Sequence, residues 1–372
     1  MKKAIRVYIT ITASVIFMLF GSSHTLKTLP LKKQIGQMLM IGFRGMELSP
    51  GNHIMEDITQ LNVGGVILFD YDMPAKKYGR NIKSPQQLQK LTADLQKLTD
   101  TKLLIAIDQE GGKVNRLRTV YGFPAAVSAK FQGKNGVDTT VKYAAQTAVT
   151  LARLGINFNF APCVDVDVNP LCPIIGKLER SFSADPDVVS QHAEIWLTEQ
   201  TKQGVTGCVK HFPGHGSANS DTHTGATDVT GTWTSAELTP YRTLIRTGKV
   251  KAVMTAHVFN AALDARYPAT MSEAVITGLL RRELGFEGVV VTDDLAMGAL
   301  VDHYSLEEIL VRAVLAGADV LCLSNNGKTY DPHIAQKAVA IIYKAVQDGR
   351  IPVQRIEESY ARIMKLKQDT HL

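Results

Sequence analysis

The side chains able to do chemistry in this chain gather where its apolar runs stop. Three histidines, a lysine and an aspartate fall within the 14 residues from Lys210 to His223. The run Lys210-His211-Phe212-Pro213-Gly214-His215-Gly216 comes first, and Asp221-Thr222-His223 follows. An aspartate two residues from a histidine in a glycine- and serine-rich loop can hydrogen-bond the imidazole, fix its tautomer and raise its basicity. Asp221 and His223 therefore read as a proton-transfer pair titrating near neutrality. His211 and His215 stand four apart, a metal-ligand spacing on a helix, but Pro213-Gly214 between them breaks any shared helical face. Lys210 beside them repels a cation, so no metal is expected. The glycines follow neither the P-loop nor the dinucleotide spacing, and no cofactor is expected.

Carboxylates close two further apolar runs. Asp293 and Asp294 follow Val289-Val290-Val291-Thr292. Successive side chains of an extended chain point opposite ways, so one carboxylate can enter a pocket while the other caps the next helix. Asp108 ends the run 103–107 and opens Asp108-Gln109-Glu110-Gly111-Gly112. A charge there is costly to bury unless it is paired or lies at a rim. Together with Arg116 it suits hydrogen bonding to sugar hydroxyls. Asn159, Asp165 and Arg180 are further rim candidates.

These residues need elements to position them. Strand-like runs at 66–69, 103–107, 156–160, 207–209, 252–256, 289–292 and 320–323 alternate with amphipathic helical segments. Most runs are continuously apolar, as strands covered on both faces require. Helix starts are legible at Ser84-Pro85 with Gln87, at Asp185-Pro186, at Thr234 with Glu237, at Ser305 with Glu308 and at Asp331-Pro332. A last helix is predicted over 353–367. Seven strands separated by helices fit either a doubly wound sheet or a (β/α)8 barrel with one weak strand. Asp108, Lys210-His211, His257, Asp293 and Asn325 all sit at or just past a strand's C-terminal end, and a barrel brings all those ends to one rim. A doubly wound sheet would use only those near its switch point. The expected fold is thus a single-domain α/β (β/α)8 barrel, with Ala269–Met271 as the weak strand.

The first residues read differently. Lys2, Lys3 and Arg6 precede an uncharged apolar run at 7–20 and then Gly21-Ser22-Ser23, the pattern of a secretory signal. The expected division is a signal peptide at 1–24 and a catalytic domain at 25–372, in a periplasmic or secreted protein. The run is short for a membrane span. Losing residues 1–24 lowers the net charge from +6 to +3. So modest a charge, without long basic runs, argues against a dedicated nucleic-acid binder and suits anionic wall glycans. A hydrophobic content of 45% fits an ordinary globular core. Cys163, Cys172, Cys208 and Cys322 lack metal-ligand spacing. Cys163 and Cys172 are either a disulfide across a loop or buried thiols.

In several ordered motifs the chain resembles glycoside hydrolase family 3, in its single-domain β-N-acetylhexosaminidase branch. The matching stretches run from about residue 31 to 367. They include Ile35-Gly36-Gln37-Met38-Leu39, Gly64-Gly65-Val66-Ile67-Leu68-Phe69 and Asp108-Gln109-Glu110-Gly111-Gly112-Lys113-Val114. Further along come Asn159-Phe160-Ala161-Pro162, Arg180-Ser181-Phe182, the run from Lys210 to Gly216 and Thr292-Asp293-Asp294-Leu295. The resemblance implies Asp293 as nucleophile, Asp221 and His223 as acid/base dyad, and Asp108, Arg116, Arg180, Lys210 and His211 as sugar-binding residues. It gives His215 no direct role and leaves Asp70-Tyr71-Asp72 and Leu178-Glu179 unmatched. The implied activity is a retaining exo-β-N-acetylglucosaminidase acting on peptidoglycan fragments or chitin oligosaccharides. Three other activities compete. A β-glucosidase of the same family would take its acid/base from a second domain. A phosphorylase would use the same nucleophile with an anionic acceptor. A metal-dependent hydrolase would lose activity to a chelator. The non-enzyme reading, a wall-binding protein, would dispense with Asp293 or His223, and both are present.

Overall fold

The computed structural model describes residues 29–369; the expected signal peptide and its cleavage site lie outside the described residues. Eight parallel strands form the barrel. They are β1 (Leu39–Gly42), β2 (Gly65–Leu68), β3 (Leu104–Ile107), β4 (Phe158–Asn159), β5 (Thr206–Phe212), β6 (Ala252–Thr255), β7 (Val289–Thr292) and β8 (Leu321–Leu323). Each pairs with its neighbour in sequence, and β1 also pairs with β8, setting Ile41 opposite both Val66 and Leu323. The last seam, between β7 and β8, is closed by a bridge from Val291 to Val320. There the Thr292 N–H donates to Val320 O at 2.9 Å and Thr292 Oγ1 accepts the Cys322 N–H at 3.0 Å. All residues of the eight strands are buried, because helices cover the outside and side chains fill the inside.

Seven of the eight strands stand where the apolar runs predict them, and the eighth is elsewhere. Ala269–Met271 is a 3-10 turn beyond β6, not a strand. The missing strand is β1, which follows the helix Leu31–Gln37 with only Met38 between them. Gly36 falls inside the helix rather than at its end, and only Met38 separates helix from strand, so no loop marks the change. The helix starts at Ser84, Asp185 and Ser305 form, each side-chain oxygen accepting a first-turn N–H. Thr234 makes no such bond. Its expected partner Glu237 instead turns inward, fully buried, and accepts the Gly216 N–H at 3.0 Å.

At the opposite end of the barrel from the strand C-termini, Asp319 joins four elements. Its carboxylate accepts from Arg281 (2.6 Å), Arg355 (2.8 Å), Arg362 (3.2 Å), Ser359 (2.8 Å) and the Val290 N–H (2.9 Å). All four cysteines are free buried thiols, so Cys163 and Cys172 are not bridged. Among the described residues no helix is long and apolar enough to cross a membrane.

Candidate active site

A cavity of about 580 Å³ opens at the C-terminal ends of the strands. Asp108, Arg116, His223, Asp293 and Asp294 all line it, brought from the loops after β3, β5 and β7. Asp293 is the first residue past β7. Its N–H donates to Thr255 O at 3.2 Å, which ties it to β6, and its Oδ1 accepts the Asp294 N–H at 2.8 Å. Removal from water would push its carboxyl up, but His257, His211 and His223 around it outweigh that and hold it at about 2. Asp294 has the opposite surroundings. Its carboxylate accepts the Ala296 N–H (3.2 Å), the Ser324 N–H (3.0 Å) and the Ser324 hydroxyl, while burial drives its pKa up. His257 donates from Nε2 to Asp294 O at 2.9 Å and so fixes the turn between the two aspartates.

The dyad lies across the cavity. His223 Nδ1 and Asp221 Oδ1 are 2.7 Å apart. A carboxylate can only accept, so Nδ1 carries the proton and Nε2 is left for chemistry. Desolvation works against charge on this imidazole, but the Asp221 hydrogen bond and the charges of Asp293 and Asp221 prevail and raise its pKa. The side chain remains 61% exposed. Its loop is tethered from below. Thr222 is buried between the dyad residues with Oγ1 3.2 Å from His215 Nε2, and its carbonyl accepts the Ala299 N–H at 3.0 Å. Burial lowers the His215 pKa to about 4, so this anchor is neutral at ordinary pH.

The remaining predicted residues stand behind the cavity wall. Lys210 is buried and its ammonium bridges Asp108 and Glu110, 2.7 Å from each. Desolvation disfavours that charge, yet the two carboxylates more than restore it. Arg180 donates from Nε and one terminal nitrogen to Glu110 at 2.8 and 2.7 Å. The same terminal nitrogen lies 3.0 Å from His211 Nε2. His211 Nδ1 in turn meets Asp165 Oδ2 at 2.6 Å. Lys210, His211 and Arg180 thus reach the cavity through the groups they hold, Asp108 above all. Arg116 differs, because its Nε is buried without an acceptor among the described residues, while a terminal nitrogen lies 3.6 Å from Asp108. The partly exposed guanidinium on the cavity wall can donate to a ligand oxygen. Asn325 is spent on its own loop, exchanging hydrogen bonds with the Asp331 backbone.

Glu110 carries no role in the sequence motifs. A signal existed: it lies two residues past Asp108, on the same side of an extended chain, where a buried acid demands cations. The glycines of the 210–216 run also find their reason. A Cβ on Gly216 would sit 1.7 Å from Val166 O, and Gly214 has φ +124°. They serve close packing rather than phosphate binding. Cys163, Asp165 and His211 bring ligand atoms within 4.8 Å of one another. Asp165 already accepts from both partners, and the Arg180 guanidinium beside His211 opposes a cation.

Fold and cavity together define a (β/α)8 barrel whose rim pairs an ionised carboxylate with a carboxylate–imidazole dyad. Residues 30–366 match the family described as "Glycosyl hydrolase family 3 N terminal domain". A relative named β-hexosaminidase A, from Pseudoalteromonas piscicida, is 32% identical over 93% of this chain and 63% of its own length. The solved family 3 β-N-acetylglucosaminidase from Paenibacillus sp. str. FPU-7 superposes with a TM-score of 0.83 at 37% identity, covering 92% of this chain and 63% of that one. The β-N-acetylhexosaminidase from Beutenbergia cavernae DSM 12333 gives 0.81 at 30% identity, covering 91% and 99%. The chain spans about three-fifths of the first two and nearly all of the third. It belongs to glycoside hydrolase family 3.

Proposed function

We propose that this chain is a retaining exo-β-N-acetylglucosaminidase that removes terminal β-linked GlcNAc from peptidoglycan fragments or chitin oligosaccharides. One observation carries the reading: a carboxylate held ionised at about pKa 2 shares its cavity with a histidine whose pKa its own aspartate helps to raise. That is the division of labour a double displacement needs. An Asp293 oxygen attacks the anomeric carbon while the glycosidic C–O bond breaks, and the leaving oxygen takes the proton from His223 Nε2. Water then returns a proton to His223, its oxygen bonds to the anomeric carbon, and Asp293 is released. Asp221 holds the ring and favours its charge in the first step. Asp108, fixed by Lys210, and the Arg116 guanidinium suit the hydroxyls of the bound sugar. The names of the relatives support N-acetylhexosamine as the sugar. The leader-like residues 1–24 support action outside the cytoplasm.

A panel of nitrophenyl glycosides tests the reading. GlcNAc should be released and glucose barely touched, since a site built for an acetamido group rejects analogues lacking it by several powers of ten. Equal turnover of the two would overturn it.

A further inference from the structure

The chain between β2 and the helix Pro85–Gln96 forms a hairpin at the cavity's lip that the reaction as described does not use. Its two short strands pair Tyr71 with Tyr78 and Asp72 with Lys77. The hairpin is heavily anchored. Buried Asp72 accepts from Arg44 at 2.7 and 2.9 Å, from Arg80 at 3.0 Å and from the Ala75 N–H at 2.8 Å. Asn326, from the loop after β8, accepts the Met73 N–H at 2.9 Å and donates to Tyr71 O at 3.0 Å. So fixed a support presents Tyr71, Met73, Pro74 and Lys76 to the cavity, with Met73 57% exposed. Rigid presentation of apolar surface to solvent is what a binding subsite requires.

Charge identifies the ligand. Asp70 at the hairpin's base, Asp108, Asp293 and Asp294 line the cavity and would repel a carboxylate bound deep within it. At the lip the balance reverses. Lys328 also lines the cavity but is paired with Asp302 at 2.6 Å, whereas Lys76 has no ion-pair partner among the described residues. We propose that this hairpin is the acceptor-side subsite. The sugar that leaves with the glycosidic oxygen packs on Tyr71, Met73 and Pro74, and a carboxylate on that sugar pairs with Lys76. The inference rests on the glycosidase reading above and names the class of sugar on the far side of the scissile bond.

The test compares kcat/KM for GlcNAc β-linked to muramic acid, to glucuronic acid and to the carboxyl-reduced form of each. Nitrophenyl GlcNAc, with no second sugar, is the reference. Wild-type protein should prefer a carboxylate acceptor over its reduced form by about fivefold, the upper range for an exposed ion pair, and salt should shrink the preference. Lys76→Gln should abolish it and Lys76→Arg retain it. Met73→Ala should lower turnover of every disaccharide relative to the reference. Whichever carboxylate acceptor is preferred identifies its source. No preference in the wild type, one untouched by Lys76→Gln, or a Met73→Ala variant whose disaccharides keep pace with the reference would overturn the subsite alone. Wild-type protein inert on nitrophenyl GlcNAc would overturn the glycosidase reading and the subsite with it.

Discussion

Asp293 and Asp294 are neighbours in the chain with opposite surroundings. Asp293 is ringed by imidazoles and receives one backbone N–H, while Asp294 spends its oxygens on Ala296 and Ser324. Asp293→Ala should therefore abolish turnover with little loss of stability. Asp294→Ala should leave a partly active enzyme destabilised by about 1–3 kcal/mol, the cost of unsatisfied buried donors. Parallel assays of turnover and denaturant midpoint check both, and an inactive but fully stable Asp294→Ala variant would reverse the assignment. The dyad makes a pH prediction. Deprotonation of His223 should set the alkaline limb of kcat/KM, above the ordinary imidazole value of about 6.5. Asp221→Asn removes one of the two carboxylates that favour the imidazolium, so the limb should move to lower pH. Asp293, at about 2, should add no acid limb near neutrality. An alkaline limb unmoved in Asp221→Asn would separate the limb from this histidine.

At the scale of an element, the loop carrying Asp221 and His223 is positioned by what lies under it. Thr222 points down to His215 while His223 beside it faces the cavity, so one hydroxyl links the dyad to the buried 210–216 run. His215 is itself fixed, its N–H donating to Asp165 at 2.8 Å. Thr222→Val keeps the side chain's shape and deletes the bond. It should cost about 1 kcal/mol of stability and lower kcat most for substrates with poor leaving groups, which depend on protonation by His223. Activated aryl glycosides should be spared. A uniform loss across leaving groups, seen in a Brønsted series, would mean the tether supports binding instead.

For the molecule as a whole, chemistry and stability occupy opposite ends of the barrel. Asp319 gathers three arginines and two further donors away from the cavity, and it is fully buried. Removing one partner of such a buried network costs about 3–5 kcal/mol, because the cations left behind are uncompensated. Asp319→Ala should therefore lower the denaturant midpoint steeply while the folded fraction keeps its kcat and KM. A variant of normal stability, or one whose folded fraction has altered kinetics, would contradict this separation.

Much of this arrangement is written in local patterns. Continuous apolar runs require strands covered on both faces, and polar residues at their ends require a rim; together they point to a barrel and place Asp108 and Asp293 around one cavity, while the spacing of Asp221 and His223 marks the dyad. Caps such as Ser84 and Asp185 are equally local, since one side chain meets an N–H two or three residues away. What tertiary structure alone decided depends on contacts between distant segments. β1 follows its helix with no loop between them and is a strand because β2 and β8 pair with it. Glu237 fits a helix cap by spacing, yet the orphan N–H of Gly216 claims it. Lys210, His211 and Arg180 read as rim residues, but the buried charges of Glu110 and Asp165 draw them behind the wall, since a buried carboxylate requires partners wherever the fold can supply them.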